Sequence, residues 1–238
     1  MSARIKSHIR DWQDMASFDP FLAISGQKKD WHVEEFWATA QPHMDRLFLT
    51  AGSLGLPRSH DRALEFGCGV GRFLPHFEKR FGEVWGLDVS PSMIDLAKKY
   101  NPRCRFHLNA AADLSFFPGS HFDLIYSFLV LQHLPDEFLI AQYLKEFMRI
   151  LKPGGLAAFQ IPDRLSVRWR VQPRRRIYHL LHSLGFSSKR LQSWALLPMS
   201  LRALSEHVVE RIVSAAGGKV TKKESLGGIE GLMYYCTK

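Results

Sequence analysis

The chain has 238 residues, 46% of them hydrophobic, which is enough to bury a sizeable core and predicts a single domain. No apolar run approaches the roughly 18 residues that a bilayer-spanning helix needs, so we expect a soluble protein. The net charge of +9 would suit nucleic acid, an anionic membrane surface or an acidic small substrate, and charge alone does not select among them.

Three cysteines and eleven histidines bear on redox compartment and metal binding. Cys68, Cys104 and Cys236 lie far apart, with neither a CxxC pair nor a zinc-site spacing, and no signal-peptide pattern precedes them. We therefore expect reduced thiols in a cytoplasmic protein. The histidines form no HxH or HxxxH pair with a carboxylate at ligand spacing, so we predict no metal site.

Five short apolar segments predict parallel strands, because such strands are covered on both faces and lack a polar side. They are residues 62–66, 83–88, 104–109, 122–128 and 156–162. Helical patterns separate them. Ser90 followed by Pro91 is typical of a helix start. A second helix is predicted from an apolar stripe, stopped by Pro153, Gly154 and Gly155, that consists of Ile140, Leu144, Phe147, Met148 and Leu151.

The C-terminal part departs from this alternation. A helix is predicted to close at Gly217 and Gly218, from the apolar residues Leu201, Leu204, Val208, Ile212 and Ala215. Residues 219–224 and 232–237 then read as two strands joined by a turn at residues 225–231. The predicted fold is α/β, with a doubly wound, mostly parallel seven-stranded sheet that ends in an antiparallel hairpin.

The glycine-rich segment "EFGCGVGR" lies between the first strand and the first helix. Ligands bind at this carboxyl edge in open α/β sheets, and glycine lets the backbone approach them closely. The spacing is GxGxG, with Arg72 where a dinucleotide fingerprint has its third small residue, so NAD is disfavoured. Asp88, at the end of the second strand, can accept hydrogen bonds from both hydroxyls of a ribose.

Four motifs resemble those of the class I S-adenosylmethionine-dependent methyltransferases, a family with a Rossmann-like fold. They are "LEFGCGVGR", "GLDVSPSMIDLA", "FDLIYSFLVLQHLPD" and "LKPGGLAAF", in the order and spacing of the family, and they cover roughly residues 62–162. The resemblance implies an S-adenosylmethionine site composed of Glu65, Gly67, Cys68, Gly69, Gly71, Asp88, Val89, Met93, Asn109, Ala110, Ala111 and Ser127.

One position departs from the family pattern. Ala110 stands where relatives usually carry an aspartate that accepts from the adenine amino group, and Asn109 or Asp113 would have to replace it. Structural interpretations also remain open. The glycines can form a tight turn, Asp88 can cap the following helix, Met93 can belong to the core, and Cys68 is better explained as a packing residue than as a nucleophile.

Methyl transfer from a sulfonium needs alignment and exclusion of water more than it needs a base. His133, just past the fourth strand, is the best placed candidate for a catalytic base, and packing against the following helix is the alternative.

Three further parts surround the predicted cofactor-binding core of residues 56–162. The resemblance suggests that residues 1–55 form an N-terminal helical cap in which Trp37 contacts the cofactor. Residues 163–200 are predicted to form a helical substrate lid, and residues 201–238 the last helix and strands. The lid segment has an apolar stripe at Ile177, Leu180, Leu181 and Leu184. Its basic residues are Arg164, Arg168, Arg170, Arg174, Arg175, Arg176, Lys189 and Arg190.

Arginine suits phosphate or carboxylate groups, so the predicted acceptor is a small, acidic molecule. Alternatives for the basic segment 164–190 are a solvated helix face and a peripheral membrane contact. Alternatives for the function are methyl transfer to RNA or to a lipid-linked substrate, and binding of S-adenosylmethionine without catalysis. Nucleic acid is disfavoured because no separate binding module is present. The sequence leaves the oligomeric state open.

Overall fold

A computed structural model describes residues 3–26, 30–227 and 231–238 of the chain. It has seven strands: β1 (Arg62–Phe66), β2 (Glu83–Asp88), β3 (Arg105–Leu108), β4 (Phe122–Ser127), β5 (Leu151–Ile161), β6 (Lys219–Gly227) and β7 (Gly231–Thr237). They form one sheet in the order β3-β2-β1-β4-β5-β7-β6. Residues 228–230, within the predicted turn of the last hairpin, lie outside the described residues.

The pairing confirms the predicted fold class. Strands β1 to β5 pair in parallel, and β7 lies antiparallel between β5 and β6. Strand β4 is buried along its whole length, as expected for a central strand covered by helices on both faces. The carboxyl ends of β1, β2 and β4 therefore meet at one edge of the sheet, which is where open α/β folds form their ligand sites.

Eleven α-helices flank the sheet within the described residues. They are α1 (Ala3–Phe18), α2 (Pro20–Ser25), α3 (Val33–Ala38), α4 (Gln41–Leu54), α5 (Leu74–Glu78), α6 (Pro91–Tyr100), α7 (Glu137–Ile150), α8 (Val167–Val171), α9 (Pro173–Ser183), α10 (Ser188–Ser193) and α11 (Glu206–Ala215). A short 3-10 helix covers Leu131–His133. None of the described helices is long and apolar enough to cross a membrane.

Two predicted helix boundaries were wrong. Helix α7 ends at Ile150, and Leu151 already pairs with Phe122 at the start of β5. The turn signals at 153–155 therefore mark an irregular start of the strand, where Gly154 adopts a φ of 76°.

The last helix begins at Glu206, after the residues predicted to open it. Leu204 lies outside the helix, and its amide donates at 2.9 Å to the carbonyl of Pro162, just after β5. Ser205 keeps an extended backbone and precedes the first helical turn.

The core lies on both faces of the sheet. One face packs against α7 and α11 through residues such as Leu144, Phe147 and Val213. The other packs against α4 and α5, where Leu47 and Phe77 are fully covered. Two helical layers thus hold the strands rigid, so the loops at their carboxyl ends are supported from both sides.

Residues 163–200 contain three of the helices, α8, α9 and α10. The stripe on α9 faces solvent: Ile177, Leu180 and Leu184 are 45%, 61% and 67% exposed, respectively, while Tyr178 is buried. The side chain of Arg168 lies outside the described residues. The helices of this segment were expected from the sequence, but the direction of their apolar face was not.

Candidate functional site

A cavity lies at the carboxyl edge of the sheet, between the glycine loop and helix α1. The predicted residues that line it are Glu65, Gly67, Cys68, Gly69, Asp88, Val89, Met93, Ala111 and His133. Four predicted residues are not among those lining it: Gly71, Asn109, Ala110 and Ser127. The fold therefore brings predicted residues that are up to 68 positions apart in sequence together around one cavity.

The glycine loop requires glycine for two reasons. Gly67 and Gly69 have φ values of 76° and 52°, which side-chain-bearing residues rarely adopt. A Cβ on Gly67 would lie 2.3 Å from Val130, and one on Gly69 would lie 2.8 Å from Ile24. The loop is also tied to β2, because the amides of Gly67 and Cys68 both donate to the carbonyl of Leu87. It is a narrow, fixed turn whose amides border the cavity.

Gly71 faces away from the cavity and contacts the end of α6. A Cβ there would lie 2.5 Å from the Nδ2 of Asn101, which donates to the Gly71 carbonyl at 3.3 Å. The third glycine is therefore required for packing between the loop and α6 rather than for lining the cavity.

Asp88 lies between the glycine loop and the start of α6, and both of its carboxylate oxygens accept backbone hydrogen bonds. Its Oδ1 accepts from the Ser90 amide at 2.9 Å and its Oδ2 from the Gly69 amide at 2.8 Å. The cap of α6 is instead Ser90, whose hydroxyl accepts from the Met93 amide. Asp88 holds the turn before the helix and fixes the glycine loop, while its carboxylate borders the cavity. Burial raises the pKa of Asp88, and the hydrogen bonds from Ser90 and Gly69 counteract that rise.

Glu65 is buried, and among the described residues its Oε2 has no hydrogen-bond partner. Burial raises the pKa of this carboxyl well above its usual value, Arg72 opposes the rise, and Asp88 adds to it. An unsatisfied carboxylate oxygen in a cavity wall is costly unless a ligand donor reaches it. Glu65 is therefore the residue most in need of a hydrogen-bond donor from a ligand.

Arg72 adds a positive charge to the same wall. Its guanidinium lies over the ring of Phe73, 4.4 Å from the ring centre, and donates to the Thr39 hydroxyl at 2.7 Å. Stacking and hydrogen bonding hold the group in a fixed plane, which suits recognition of a carboxylate.

The loop after β3 differs from the sequence expectation. Asn109 is buried, accepts from the Ala111 amide and donates to the hydroxyl of Tyr143 at 3.1 Å. Asp113 accepts from the Ser115 amide, and neither Asn109 nor Asp113 lines the cavity. Ala110 is exposed. Asn109 thus holds the loop in shape, and Ala111 is the member of this loop that reaches the cavity.

Two small side chains behave as interior residues. Ser127, at the end of β4, is fully buried, and its Oγ has no partner among the described residues. Cys68 is buried, and burial raises the pKa of its thiol well above the usual value. A thiol held protonated is a poor nucleophile, in agreement with the packing role expected from the sequence.

His133 lies in a chain of hydrogen bonds that the sequence did not reveal. Its Nδ1 lies 2.8 Å from the carbonyl of Ser200, so Nδ1 carries the proton, and its Nε2 can accept from Gln132 at 3.2 Å. Gln160 donates to Gln132 and accepts from the amide of Leu129. Burial lowers the pKa of His133, and the Ser200 carbonyl opposes this. Both ring nitrogens are occupied, which favours a structural role for the neutral ring.

Helix α1 covers the cavity and supplies residues that sequence reasoning missed. Ile5, His8, Ile9 and Trp12 line it, and the Trp12 ring packs edge-on against His133 at 5.5 Å. Burial and the neighbouring His133 lower the pKa of His8 to about 4. The four α1 residues that line the cavity are three or four positions apart, so they lie on one face of the helix. That periodicity is the one sequence signal that could have identified them.

Trp37, expected at the cofactor, packs against Tyr100 and is not among the lining residues. The residues that line the cavity likewise include none from the described part of 163–200. Among the described residues there is also no group of three or more histidine, cysteine or acidic side chains that could hold a metal ion.

Comparisons with known proteins show which families and folds this chain is similar to. A family model described as a methyltransferase domain matches residues 64–159. The chain is 42% identical over 106 residues to trans-aconitate 2-methyltransferase of Methylobacterium radiotolerans, covering 44% of this chain and 39% of that protein. It is 35% identical over 97 residues to 2-methyl-6-phytyl-1,4-hydroquinone methyltransferase of Synechocystis sp., covering 39% of this chain and 29% of that protein.

The chain thus spans well under half the length of these curated relatives. A solved structure extends the likeness of fold to the whole chain. Magnesium protoporphyrin IX methyltransferase from Synechocystis PCC 6803, with bound SAH, has a TM-score of 0.63 at 15% identity, over 98% of this chain and 99% of that one. The matched family depends on S-adenosylmethionine, the cofactor that the resemblance of the four sequence motifs implied. The domain match and the relatives identify the central part of this chain, residues 64–159, as a class I S-adenosylmethionine-dependent methyltransferase domain, and the whole chain shares the fold of such an enzyme.

Proposed function

We propose that this protein transfers a methyl group from S-adenosylmethionine to a small acceptor that carries a carboxylate or phosphate. The observation that carries the proposal is the pair of carboxylates, Glu65 and Asp88, on either side of a glycine loop in one cavity. When bound, S-adenosylmethionine supplies a methyl group already activated on a sulfonium.

The chain's own residues would bind and orient that cofactor. The unsatisfied Oε2 of Glu65 suits an ammonium donor, such as the amino group of the methionine moiety. The Asp88 carboxylate has lone pairs left after its two backbone hydrogen bonds, which suits the ribose hydroxyls. Val89, Met93 and Ala111 would form the apolar surroundings of the adenine.

The acceptor would enter between the glycine loop and α1. Arg72 is a fixed cation in this part of the lining and would pair with an acidic group of the acceptor. Trp12 and Leu129 would exclude water from the transfer, because they cover the cavity with apolar surface. Support for an acidic acceptor also comes from the trans-aconitate 2-methyltransferases, which are similar over the central part of this chain.

A lipid-linked acceptor is the second candidate, and the apolar side chains of the lining favour it. Ile5, Ile9, Trp12, Phe128 and Val130 all line the cavity. A prenylated ring would bury its chain against them and present a hydroxyl or a ring carbon to the methyl group.

Calorimetric titration with S-adenosylmethionine and with NAD tests the cofactor first. We expect micromolar binding of S-adenosylmethionine alone. Asp88→Ala should abolish that binding, whereas Asp113→Ala, which removes a carboxylate outside the cavity, should leave it unchanged. Binding of NAD, or of neither compound, would contradict the proposal.

Transfer of a labelled methyl group then separates the two acceptors. After incubation with trans-aconitate, other small carboxylates and a prenylated hydroquinone, we expect the label on a carboxylate. The Arg72→Gln variant should have a higher KM for that acceptor, with a smaller decrease in kcat. Labelling of the hydroquinone alone would select the second candidate. Binding of the cofactor with no transfer to any acceptor would favour a non-catalytic protein.

A further inference from the structure

The exposed apolar side chains of this protein are concentrated in one segment. Of the eleven large hydrophobic residues exposed in the described part of the chain, seven lie between positions 167 and 194. They are Val167, Trp169, Val171, Ile177, Leu180, Leu184 and Trp194. Exposed apolar residues are ordinary when scattered, but a concentration of them marks a surface that contacts something else.

Helix α9 is packed onto the protein by its polar side. Tyr178 is buried, and Arg175, on the same side, donates to the Pro198 carbonyl at 2.9 Å. The opposite side carries Ile177, Leu180 and Leu184, spaced three and four residues apart, so they form one stripe along the helix. This is the reverse of the usual arrangement, in which the apolar stripe faces the core.

Arginines border the stripe on both sides. At about 100° per residue, Arg174 and Arg176 lie about 80° to either side of its middle, and both are exposed. These five residues, Arg174, Arg176, Ile177, Leu180 and Leu184, are called the α9 face below. The α9 face is therefore an apolar centre between two cationic edges.

The segment around α9, residues 163–200, carries most of the net positive charge of the protein. Residues 163–200 contain eight arginines and lysines and a single acidic residue, a net charge of +7 out of +9 for the whole chain. Three of these arginines lie in the first turn of α9, which has no acidic residue. Cations at a helix N-terminus oppose the helix dipole, so the arrangement costs local stability. Arg175 is held by the Pro198 carbonyl, but Arg174 and Arg176 are exposed, which leaves their position without an explanation inside the described structure.

Aromatic residues next to α9 continue the pattern. Arg190, on α10, lies 5.2 Å from the ring centre of Trp194 and 5.4 Å from that of Phe186. Trp194 is half exposed. An exposed tryptophan beside an arginine has the mixed polarity of side chains that lie at the headgroup level of a membrane.

We propose that the α9 face docks the protein on the surface of an anionic lipid bilayer. The apolar stripe inserts into the boundary of the acyl chains, while Arg174 and Arg176 contact anionic headgroups on either side. A second copy of this chain is a poorer occupant, because it would bring +7 against +7. Nucleic acid offers phosphates to the arginines but no surface to three exposed aliphatic side chains.

Docking through α9 would place the membrane close to the cavity. Helix α10 packs on α1, and the Ser188 hydroxyl donates to Asp14 of α1. Helix α1 in turn lines the cavity with Ile5 and Trp12. The inference does not depend on the proposed function, and its test uses neither cofactor nor acceptor.

Flotation of the full chain with vesicles tests the proposal. With vesicles of phosphatidylglycerol and phosphatidylcholine in equal parts we expect binding that weakens as salt is added, and at least about tenfold weaker binding to phosphatidylcholine alone. Leu180→Gln with Leu184→Gln should weaken binding about tenfold or more, because both side chains are exposed in the free protein and buried on docking. An unchanged melting transition shows that the variant is folded.

Two matched controls make the result specific to the α9 face. Leu49→Gln replaces an exposed leucine on α4 and should leave vesicle binding unchanged. Arg174→Gln with Arg176→Gln should weaken binding, whereas Lys98→Gln with Lys99→Gln, which removes the same charge from exposed positions on α6, should do so much less.

Several outcomes would overturn the proposal. These are equal binding to neutral and anionic vesicles, no vesicle binding, or loss of binding that is the same for the α9 and control variants. Light scattering that shows a dimer abolished by the leucine pair would assign the α9 face to a second copy. Binding to single-stranded RNA that depends on the arginine pair but not on the leucine pair would assign it to nucleic acid.

Discussion

Helices α7 and α9 are both amphipathic, and they use that property in opposite ways. Helix α7 buries most of its apolar residues, with Phe138 as an exposed exception, begins at the side-chain cap of Asp136 and has Arg149 in its last turn. Helix α9 begins with arginines, has no side-chain cap and turns its apolar stripe to solvent. The pattern of a helix shows which side is apolar, but only its neighbours decide whether that side faces the core.

The glycine loop and the 163–200 segment differ in the same sense. The three glycines of the loop lie close to Val130, Ile24 and Asn101, and two of its amides donate to Leu87 of β2, so a larger side chain at any of the three glycines would disturb the fold. The 163–200 segment, in contrast, has exposed side chains such as Leu180, and replacing them should leave the packing of its helices unchanged. The predictions below test this difference, beginning with the largest effect.

Replacing leucine by alanine in the two helices should separate them most clearly. Leu144→Ala on α7 removes a fully buried side chain and should lower the free energy of unfolding by about 2–5 kcal/mol. Leu180→Ala on α9 should change it by less than about 0.5 kcal/mol. Denaturant titration measures both, and a similar loss in the two variants would show that the α9 stripe is covered in solution.

Adding a methyl group to a glycine should have opposite effects in the loop and elsewhere. Gly67→Ala should cost about 2 kcal/mol or more and weaken cofactor binding, because the backbone has a positive φ and the new Cβ meets Val130. Gly52→Ala, inside α4 with open space around it, should stabilise by about 0.5–1 kcal/mol. Thermal melts with and without S-adenosylmethionine give both numbers, and an unimpaired Gly67→Ala protein would refute the close fit of the loop.

His133→Asn should affect stability more than catalysis. The change leaves the Ser200 carbonyl and the Gln132 amide without their partner and should cost about 1–3 kcal/mol. Methyl transfer should fall less than about tenfold, whereas loss of a true base costs about 10²–10⁴-fold. His207→Asn, on the exposed side of α11, is the control. A drop of a hundredfold with an altered pH profile would make His133 the base.

Glu65→Gln should alter the pH dependence of stability in the absence of cofactor. Burial raises the pKa of Glu65, so its ionisation opposes folding: stability present below the usual pKa near 4.3 is lost as pH rises through the raised value. The variant should lose less folding stability than the wild type as the pH rises through that range, and it should be about 1 kcal/mol more stable than the wild type at pH 8. Denaturant titrations across pH measure this, with exposed Glu34→Gln as the control. Parallel profiles for Glu65→Gln and the wild type would contradict it.

The central sheet was predictable because its signals are local. Strands β1 and β2 have the boundaries expected from their apolar runs, and Ser90 caps α6 as its dipeptide with Pro91 indicated. The carboxyl ends of parallel strands meet at one edge of the sheet, so the sequence predicts that the glycine loop and Asp88 lie together.

Contacts between distant segments were not predictable. Helix α1 covers the cavity, Ser200 orients His133 from 67 positions away, and Asn109 holds a loop instead of lining the site. Composition and spacing describe each segment against its neighbours in sequence, and they do not say which other segment will lie against it.

The sequence by itself therefore determined the strands and the glycine loop, because backbone preferences and apolar periodicity act over a few residues. The cofactor class followed from the resemblance of its motifs to a known family. Only the tertiary structure decided which residues close the cavity, which ring nitrogens of His133 are occupied and which way the α9 face points. Those features depend on packing between elements far apart in the chain, where each contact competes with water and with every other segment.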